Sequence, residues 1–161
     1  MTALIEARHV TKIFGGSVFK RNDGLVALDN LSLTIAEAPP TITAIVGESG
    51  SGKTTFARLI LGLAEPTSGQ VCYRGVDLRK LDRNQRQQFL RDVQVIFQDP
   101  FEVYNPFYRI DHVLEEPVTN LRLAKSRAQG RKLIEEALVS VGLRPETRRT
   151  DHADSALSRH V

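Results

Sequence analysis

The chain has 161 residues, of which 41% are hydrophobic and 25% are charged, and its formal net charge is +3 at pH 7. This length suits one domain with its own core, and the composition argues against a disordered or fibrous chain. Because Cys72 is the only cysteine, the sequence excludes a disulfide framework within the chain and a CxxC metal site. The net positive charge is too small to indicate nucleic acid as a partner. The longest apolar stretch, residues 59–64, is much shorter than the roughly 18 residues that span a bilayer.

The first half of the chain reads as strands separated by turns. Residues 3–14 and 25–36 alternate apolar and polar side chains and predict two strands, the first at a sheet edge. The uncharged, β-branched run 41–46 predicts a strand buried on both faces, as in a parallel sheet. A helix is expected over 53–63, and a short strand over 71–73.

The second half is expected to be mostly helical. Asp82 suits the N-cap of a helix that ends near Arg91, and residues 93–97 predict another apolar strand. Residues 111–142 are predicted to be helical, with Gly142 at the end. One apolar stripe at helical spacing runs through this region: Leu133, Ile134, Ala137, Leu138 and Val141.

The strongest functional signal is a glycine-rich turn between a predicted strand and a predicted helix. It reads Gly47-Glu48-Ser49-Gly50-Ser51-Gly52-Lys53-Thr54-Thr55 and matches G-x-x-x-x-G-K-[ST]. The three glycines allow positive φ and a close approach of the backbone to a ligand, so that successive N–H groups can form an anion nest at the helix N-terminus. In this pattern Lys53 supplies a cation to the β and γ phosphates, Thr54 an oxygen ligand to Mg²⁺, and Thr55 a donor to a phosphate oxygen.

Around this loop the sequence resembles the ATP-binding subunits of ABC transporters, within them the oligopeptide, dipeptide and nickel importer branch, over about residues 4–145. The blocks that carry the resemblance are His9-Val10-Thr11-Lys12-Ile13-Phe14, residues 26–33, residues 62–71, Val95-Ile96-Phe97-Gln98-Asp99-Pro100, Asn105-Pro106 and Glu115-Glu116-Pro117.

The resemblance implies an α/β fold: a P-loop NTPase core of the ABC ATPase type with an antiparallel β subdomain and a helical subdomain, incomplete at the C-terminus. Residues 1–100 would form the nucleotide-binding core with the β subdomain and the P-loop. Residues 101–145 would form the Q-loop and helical subdomain, and residues 146–161 a polar tail that starts a degenerate signature motif.

The resemblance also implies ATP and Mg²⁺ as cofactors. Phe14 would stack on adenine, although a core phenylalanine, or Phe19 in the stacking role, stays an open alternative. Gln98 would reach Mg²⁺ or the attacking water from the Q-loop. Some of the apolar and aromatic residues after it would contact a membrane subunit: Phe101, Val103, Tyr104, Phe107 and Tyr108.

The implied function is an ATP-binding subunit that energises import of peptides or a related solute. Its partners would be transmembrane permease subunits, a second ATP-binding subunit in a homo- or heterodimer and, indirectly, a solute-binding protein. Glu6 and Arg8 interrupt any apolar signal sequence at the N-terminus, so we expect a cytoplasmic chain, peripheral on the inner face of the plasma membrane.

Two features depart from the family pattern. Ala156-Leu157-Ser158 resembles the start of the signature motif, but Arg159-His160-Val161 stands where Gly-Gly-Gln is expected. No apolar strand ending in Asp-Glu follows Gln98, so the residues support binding rather than turnover, and no catalytic residue is assigned.

Two other readings stay open, a nucleotide-binding module without catalysis and a P-loop kinase of a small metabolite. The kinase hypothesis has little support, because the sequence contains no arginine segment typical of a kinase lid. In the family, the strands that flank the P-loop strand come from sequence beyond residue 161. We therefore expect open apolar edges at 41–46 and a chain that is marginally stable or prone to aggregate.

Overall fold

The computed structural model describes residues 3–15, 24–98 and 110–145. The chain divides into two compact units, Met1–Val95 and Ile96–Val161. The described part of the first unit contains a four-stranded sheet with helices, and that of the second contains two helices. Among the described residues, no helix is both long and apolar enough to cross a membrane.

The sheet consists of β1 (Ala3–Phe14), β2 (Leu25–Ala36), β3 (Ser68–Tyr73) and β4 (Val76–Asp77). Its order is β2-β1-β3-β4, and every neighbouring pair is antiparallel. The prediction that β1 lies at the sheet edge is wrong, because β1 pairs with β2 on one side and with β3 on the other. Apolar and polar side chains alternate along β1 because one face of the strand packs on the core, and this alternation does not require an edge position.

The core of the first unit lies between this sheet and two helices, α1 (Lys53–Ile60) and α2 (Arg83–Asp92). A short 3₁₀ turn, Leu78–Lys80, precedes α2. The buried apolar side chains are Ile5, Ala7, Val10, Leu28, Phe56, Leu59, Val71, Tyr73, Leu78 and Phe89. Because Phe56 and Leu59 are three residues apart on α1, they share the face that packs on the sheet.

The ends of α1 and α2 have identifiable local causes. The predicted N-cap is confirmed: Asp82 Oδ1 accepts from the Gln85 N–H at 2.8 Å, and Gln85 Oε1 accepts from the Asp82 N–H at 3.0 Å. Helix α1 ends at Ile60, before the predicted residue 63, because Gly62 takes a φ of 67°. The Leu63 N–H then donates to the Arg58 carbonyl at 2.8 Å, which closes the helix end.

A polar network joins β3 to α2. The Tyr73 hydroxyl donates to Asp92 Oδ2 at 2.5 Å, and the same carboxylate accepts from Arg74 at 3.2 Å and from the Gln88 amide at 2.8 Å. Burial, followed by the bond to Asp92, raises the pKa of Tyr73 to about 12. The neutral phenol is therefore the form that the fold stabilises.

The second unit contains α3 (Ile110–Asn120) and α4 (Arg127–Ser140). The region predicted to be helical is divided at Arg122, whose φ of 51° lets the Leu123 N–H donate to the Val118 carbonyl at 2.9 Å. Gly142 ends α4 as predicted, with a φ of 78°. Of the predicted apolar stripe, Ile134 and Leu138 are buried and Val141 is exposed.

Two predicted strands are wrong, because neither residues 41–46 nor residues 93–97 belong to a strand. Ile42 and Val46 are 101% and 90% exposed, and Ile96 is 98% exposed. A strand that is buried on both faces needs hydrogen-bonded neighbours, and the described residues place no strand beside either run. Residues 41–46 are therefore an exposed apolar run rather than the expected open sheet edge.

We expect this exposed run to make the chain associate with itself. Its β-branched, uncharged residues are a template for pairing with another chain. Sedimentation velocity should show species larger than a monomer as concentration rises, and the double variant Ile42→Lys/Val46→Lys should remain monomeric. The matched control, Val139→Lys/Val141→Lys, changes two exposed valines outside the run and should associate like the parent. A parent chain that stays monomeric and unfolds reversibly and cooperatively would contradict this expectation.

Candidate functional site

The glycine-rich loop 47–52 leads directly into α1, and its glycines meet two different requirements. Gly50 and Gly52 have φ values of 81° and 88° and so use the conformational freedom of glycine, whereas Gly47 has no positive φ. A Cβ added to Gly52 would lie 2.3 Å from the Ala27 carbonyl oxygen, so the loop passes against β2 with no room for a side chain. Gly47 faces Ser51 instead, whose Oγ would lie 2.6 Å from an added Cβ.

The N-terminus of α1 differs from those of the other two helices whose caps are described. Its N-cap residue, Gly52, makes no side-chain capping bond. In α2 and α4 the side chains of Asp82 and Ser126 accept from the first turn. Because the first N–H groups of a helix have no acceptor within it, those of α1 remain suited to an external anion, and the helix dipole adds to this preference.

The Lys53 ammonium lies against the loop itself. Its Nζ donates to the Gly47 carbonyl at 2.8 Å, to the Glu48 carbonyl at 2.6 Å and to Ser51 Oγ at 3.3 Å. These bonds hold the loop in a curve and place one positive charge beside it. An anionic oxygen is a stronger acceptor for an ammonium than a neutral carbonyl or hydroxyl, so a phosphate can exchange with the longest of these contacts.

The other loop residues contribute in different ways. The Glu48 carbonyl also accepts from the Ser51 N–H at 3.2 Å, which forms the turn. The side chains of Glu48, Ser49 and Thr54 are exposed, and Thr55 is half-buried. Thr54 is therefore the more accessible of the two threonines.

A cavity of about 210 Å³ joins the loop to the end of β1. Its lining includes Phe14, Leu25, Val26, Ala27, Gly50, Gly52, Lys53, Thr54 and Thr55. Phe14 is 44% exposed, which rules out the alternative of a core phenylalanine. The other alternative, Phe19, lies outside the described residues.

Sequence reasoning missed Lys12. Its Nζ lies 5.1 Å from the centroid of the Phe14 ring and donates to the Glu65 carbonyl at 2.9 Å. Residues i and i+2 of a strand share a face, so the spacing of Lys12 and Phe14 could have predicted that these two side chains lie together.

The remaining predicted residues are not part of this cavity. Gln98 is exposed and belongs to the second unit, so its role as a metal ligand stays a prediction. The expected membrane-subunit contacts at 101–108 and the signature-like tail at 146–161 lie outside the described residues. In the described ranges, no group of three or more His, Cys, Asp or Glu side chains could hold a metal ion.

Comparison with known sequences identifies the family of the chain. A family profile described as ABC transporter matches residues 28–159. The chain is 38% identical over 148 residues to the di/tripeptide transport ATP-binding protein DppF of Pseudomonas aeruginosa, a match that covers 91% of this chain and 45% of that protein. It is 41% identical over 102 residues to the nickel import ATP-binding protein NikE of Escherichia coli, covering 63% of this chain and 37% of that protein. The chain thus spans less than half the length of these relatives.

Solved structures share the fold. The ATP-binding cassette MJ0796, in a dimeric post-hydrolysis state bound to ADP and Pi, matches with 25% identity and a TM-score of 0.69, over 94% of this chain and 62% of that one. cbiO1 from Clostridium perfringens, part of the transporter complex cbiONQ, matches with 20% identity and a TM-score of 0.63, over 89% of this chain and 52% of that one. These likenesses confirm the predicted fold class, of which this chain holds a part. With its family profile, its glycine-rich loop and this fold, the chain belongs to the ABC transporter family of ATP-binding proteins.

Proposed function

We propose that the chain binds MgATP as part of the ATP-binding subunit of an ABC importer. The observation that carries this proposal is a single cavity that joins the uncapped N-terminus of α1, the Lys53 ammonium and the exposed Phe14 ring. A nucleoside triphosphate has the matching parts, a polyanion for the loop and a flat base for the ring.

The triphosphate would lie along the loop, where the N–H groups of the first turn of α1 and the Lys53 ammonium offset its charge. The exposed Thr54 hydroxyl fits Mg²⁺, which binds oxygen and commonly takes few protein ligands beside water and phosphate. When bound, that ion would neutralise part of the charge of the triphosphate. The proposal that Gln98 also binds Mg²⁺ rests on the Q-loop resemblance alone.

The names of the relatives support the transport role. They are ATP-binding proteins of di/tripeptide transport and nickel import, so we infer that this subunit energises the uptake of peptides or a related solute. It would act with permease subunits at the cytoplasmic face of the membrane, and indirectly with a solute-binding protein. It would also pair with a second ATP-binding subunit, as the dimeric cassette MJ0796 does with its own copy.

Equilibrium dialysis with labelled nucleotides tests the binding step. We expect one saturable ATP site per chain, and AMP should compete at least about tenfold more weakly, because most of the contacts are made to the β and γ phosphates. Affinity should rise with Mg²⁺ in the parent and rise less in Thr54→Ala. AMP that competes as well as ATP would show that the loop does not hold the phosphates.

A further inference from the structure

We propose that Lys12 is a positioning residue for the base-binding ring, holding Phe14 in place and covering one of its faces. This inference rests on the proposed nucleotide site and adds to it a determinant of base recognition. Neither the loop motif nor the fold requires a cation at this strand end, so the argument stands on the geometry around Phe14.

The end of β1 is tied to the segment that follows α1. The Lys12 ammonium donates to the Glu65 carbonyl at 2.9 Å, and the Ile13 N–H donates to Thr67 Oγ1 at 3.1 Å. The Thr67 N–H in turn donates to the Thr11 carbonyl at 2.8 Å. These three bonds connect the strand end that presents the aromatic ring to the segment between α1 and β3.

The Lys12 side chain is not simply a solvated surface lysine. Its Nζ is held at the Glu65 carbonyl while it lies 5.1 Å from the Phe14 centroid, within the range of a cation–π contact. With an ammonium on one face, the ring offers its other face to a planar ligand. The cation also draws on the π electrons of the ring, which favours stacking with an electron-rich purine.

The test compares ATP with inorganic tripolyphosphate, each with Mg²⁺ at physiological ionic strength. Lys12→Met should weaken ATP binding about three- to tenfold, the size of an exposed to partly desolvated cation–π contact, and leave tripolyphosphate binding nearly unchanged. Lys12→Arg, which keeps the cation, should restore ATP affinity. The control Lys80→Met removes the same charge from an exposed lysine outside the cavity and should change neither affinity.

A double-mutant cycle assigns the effect to the ring. In a Phe14→Leu background, Lys12→Met should cause no further loss of ATP affinity, because the contact that it removes is already absent. Thr67→Val, which removes the acceptor of the Ile13 N–H, should lower ATP affinity selectively, whereas Thr67→Ser should not.

Two results would overturn this inference. In one, Lys12→Met weakens ATP and tripolyphosphate equally, so that Lys12 acts only as a charge near the phosphates. In the other, its effect persists in the Phe14→Leu background. Failure of the proposed function itself looks different, because the parent chain would then bind neither ligand.

Discussion

Replacing Gly52 by alanine is expected to lower the free energy of unfolding by about 3 kcal/mol and to remove measurable ATP binding. A Cβ at this position would lie 2.3 Å from the Ala27 carbonyl oxygen and 2.9 Å from Leu28 Cδ2. The first of these atoms belongs to the backbone of β2 and cannot move aside without disturbing the sheet. The loop would have to leave β2, and the N-terminus of α1 would move with it.

Gly50→Ala provides the matched control. Gly50 has a φ of 81°, close to the 88° of Gly52, but an added Cβ meets nothing within 4 Å. The free energy of unfolding of this variant should therefore fall by only about 1 kcal/mol, the cost of an alanine in the left-handed conformation. Urea denaturation of both variants separates the steric effect from the conformational one. Equal losses in the two variants would mean that Gly52 does not pack against β2 as described.

Lys53→Ala is expected to weaken ATP binding about 10- to 100-fold, the range for loss of a charge-assisted hydrogen bond to phosphate. Its effect on stability should be small, since the carbonyls of Gly47 and Glu48 that it bonds belong to exposed residues and can be hydrated instead. Dialysis and urea denaturation of one preparation should therefore show a large loss of affinity with little loss of stability.

Lys80→Ala removes the same charge from an exposed lysine outside the cavity and should bind ATP like the parent. If Lys53→Ala also binds ATP like the parent, the ammonium is not part of the phosphate site. If Lys53→Ala instead unfolds, the contacts of Lys53 with the loop carbonyls are structural in the first place.

The sequence predicted those parts of the fold that local interactions determine. The capping box at Asp82 and Gln85 lies within one turn of chain, and Gly142 needs only its own φ to end α4. The start of α1 at Lys53 was equally predictable, since the pattern combines the glycines, the lysine and the helix start in nine consecutive residues.

The predictions for residues 41–46 and for β1 failed, and Lys12 was missed, because each depends on partners that are distant in sequence. Residues 41–46 have the composition of a buried strand, yet composition cannot supply the neighbouring strands, and Ile42 is exposed. The central place of β1 depends on β3, more than fifty residues away. Lys12 entered the site through the carbonyl of Glu65. Gly47 differs from these cases, because the side chain that leaves no room for a Cβ there belongs to the nearby Ser51.

The central claim is that main-chain N–H groups at the start of α1 hold a polyphosphate. The most direct test is to follow the amide chemical shifts of the chain during titration with MgATP. The account predicts that the amide resonances of Gly50, Gly52, Thr54 and Thr55 move most and saturate together, and that they stay in place in Lys53→Ala at the same concentrations. Saturable binding that leaves these four amides unmoved, or no shift at any residue, would contradict it.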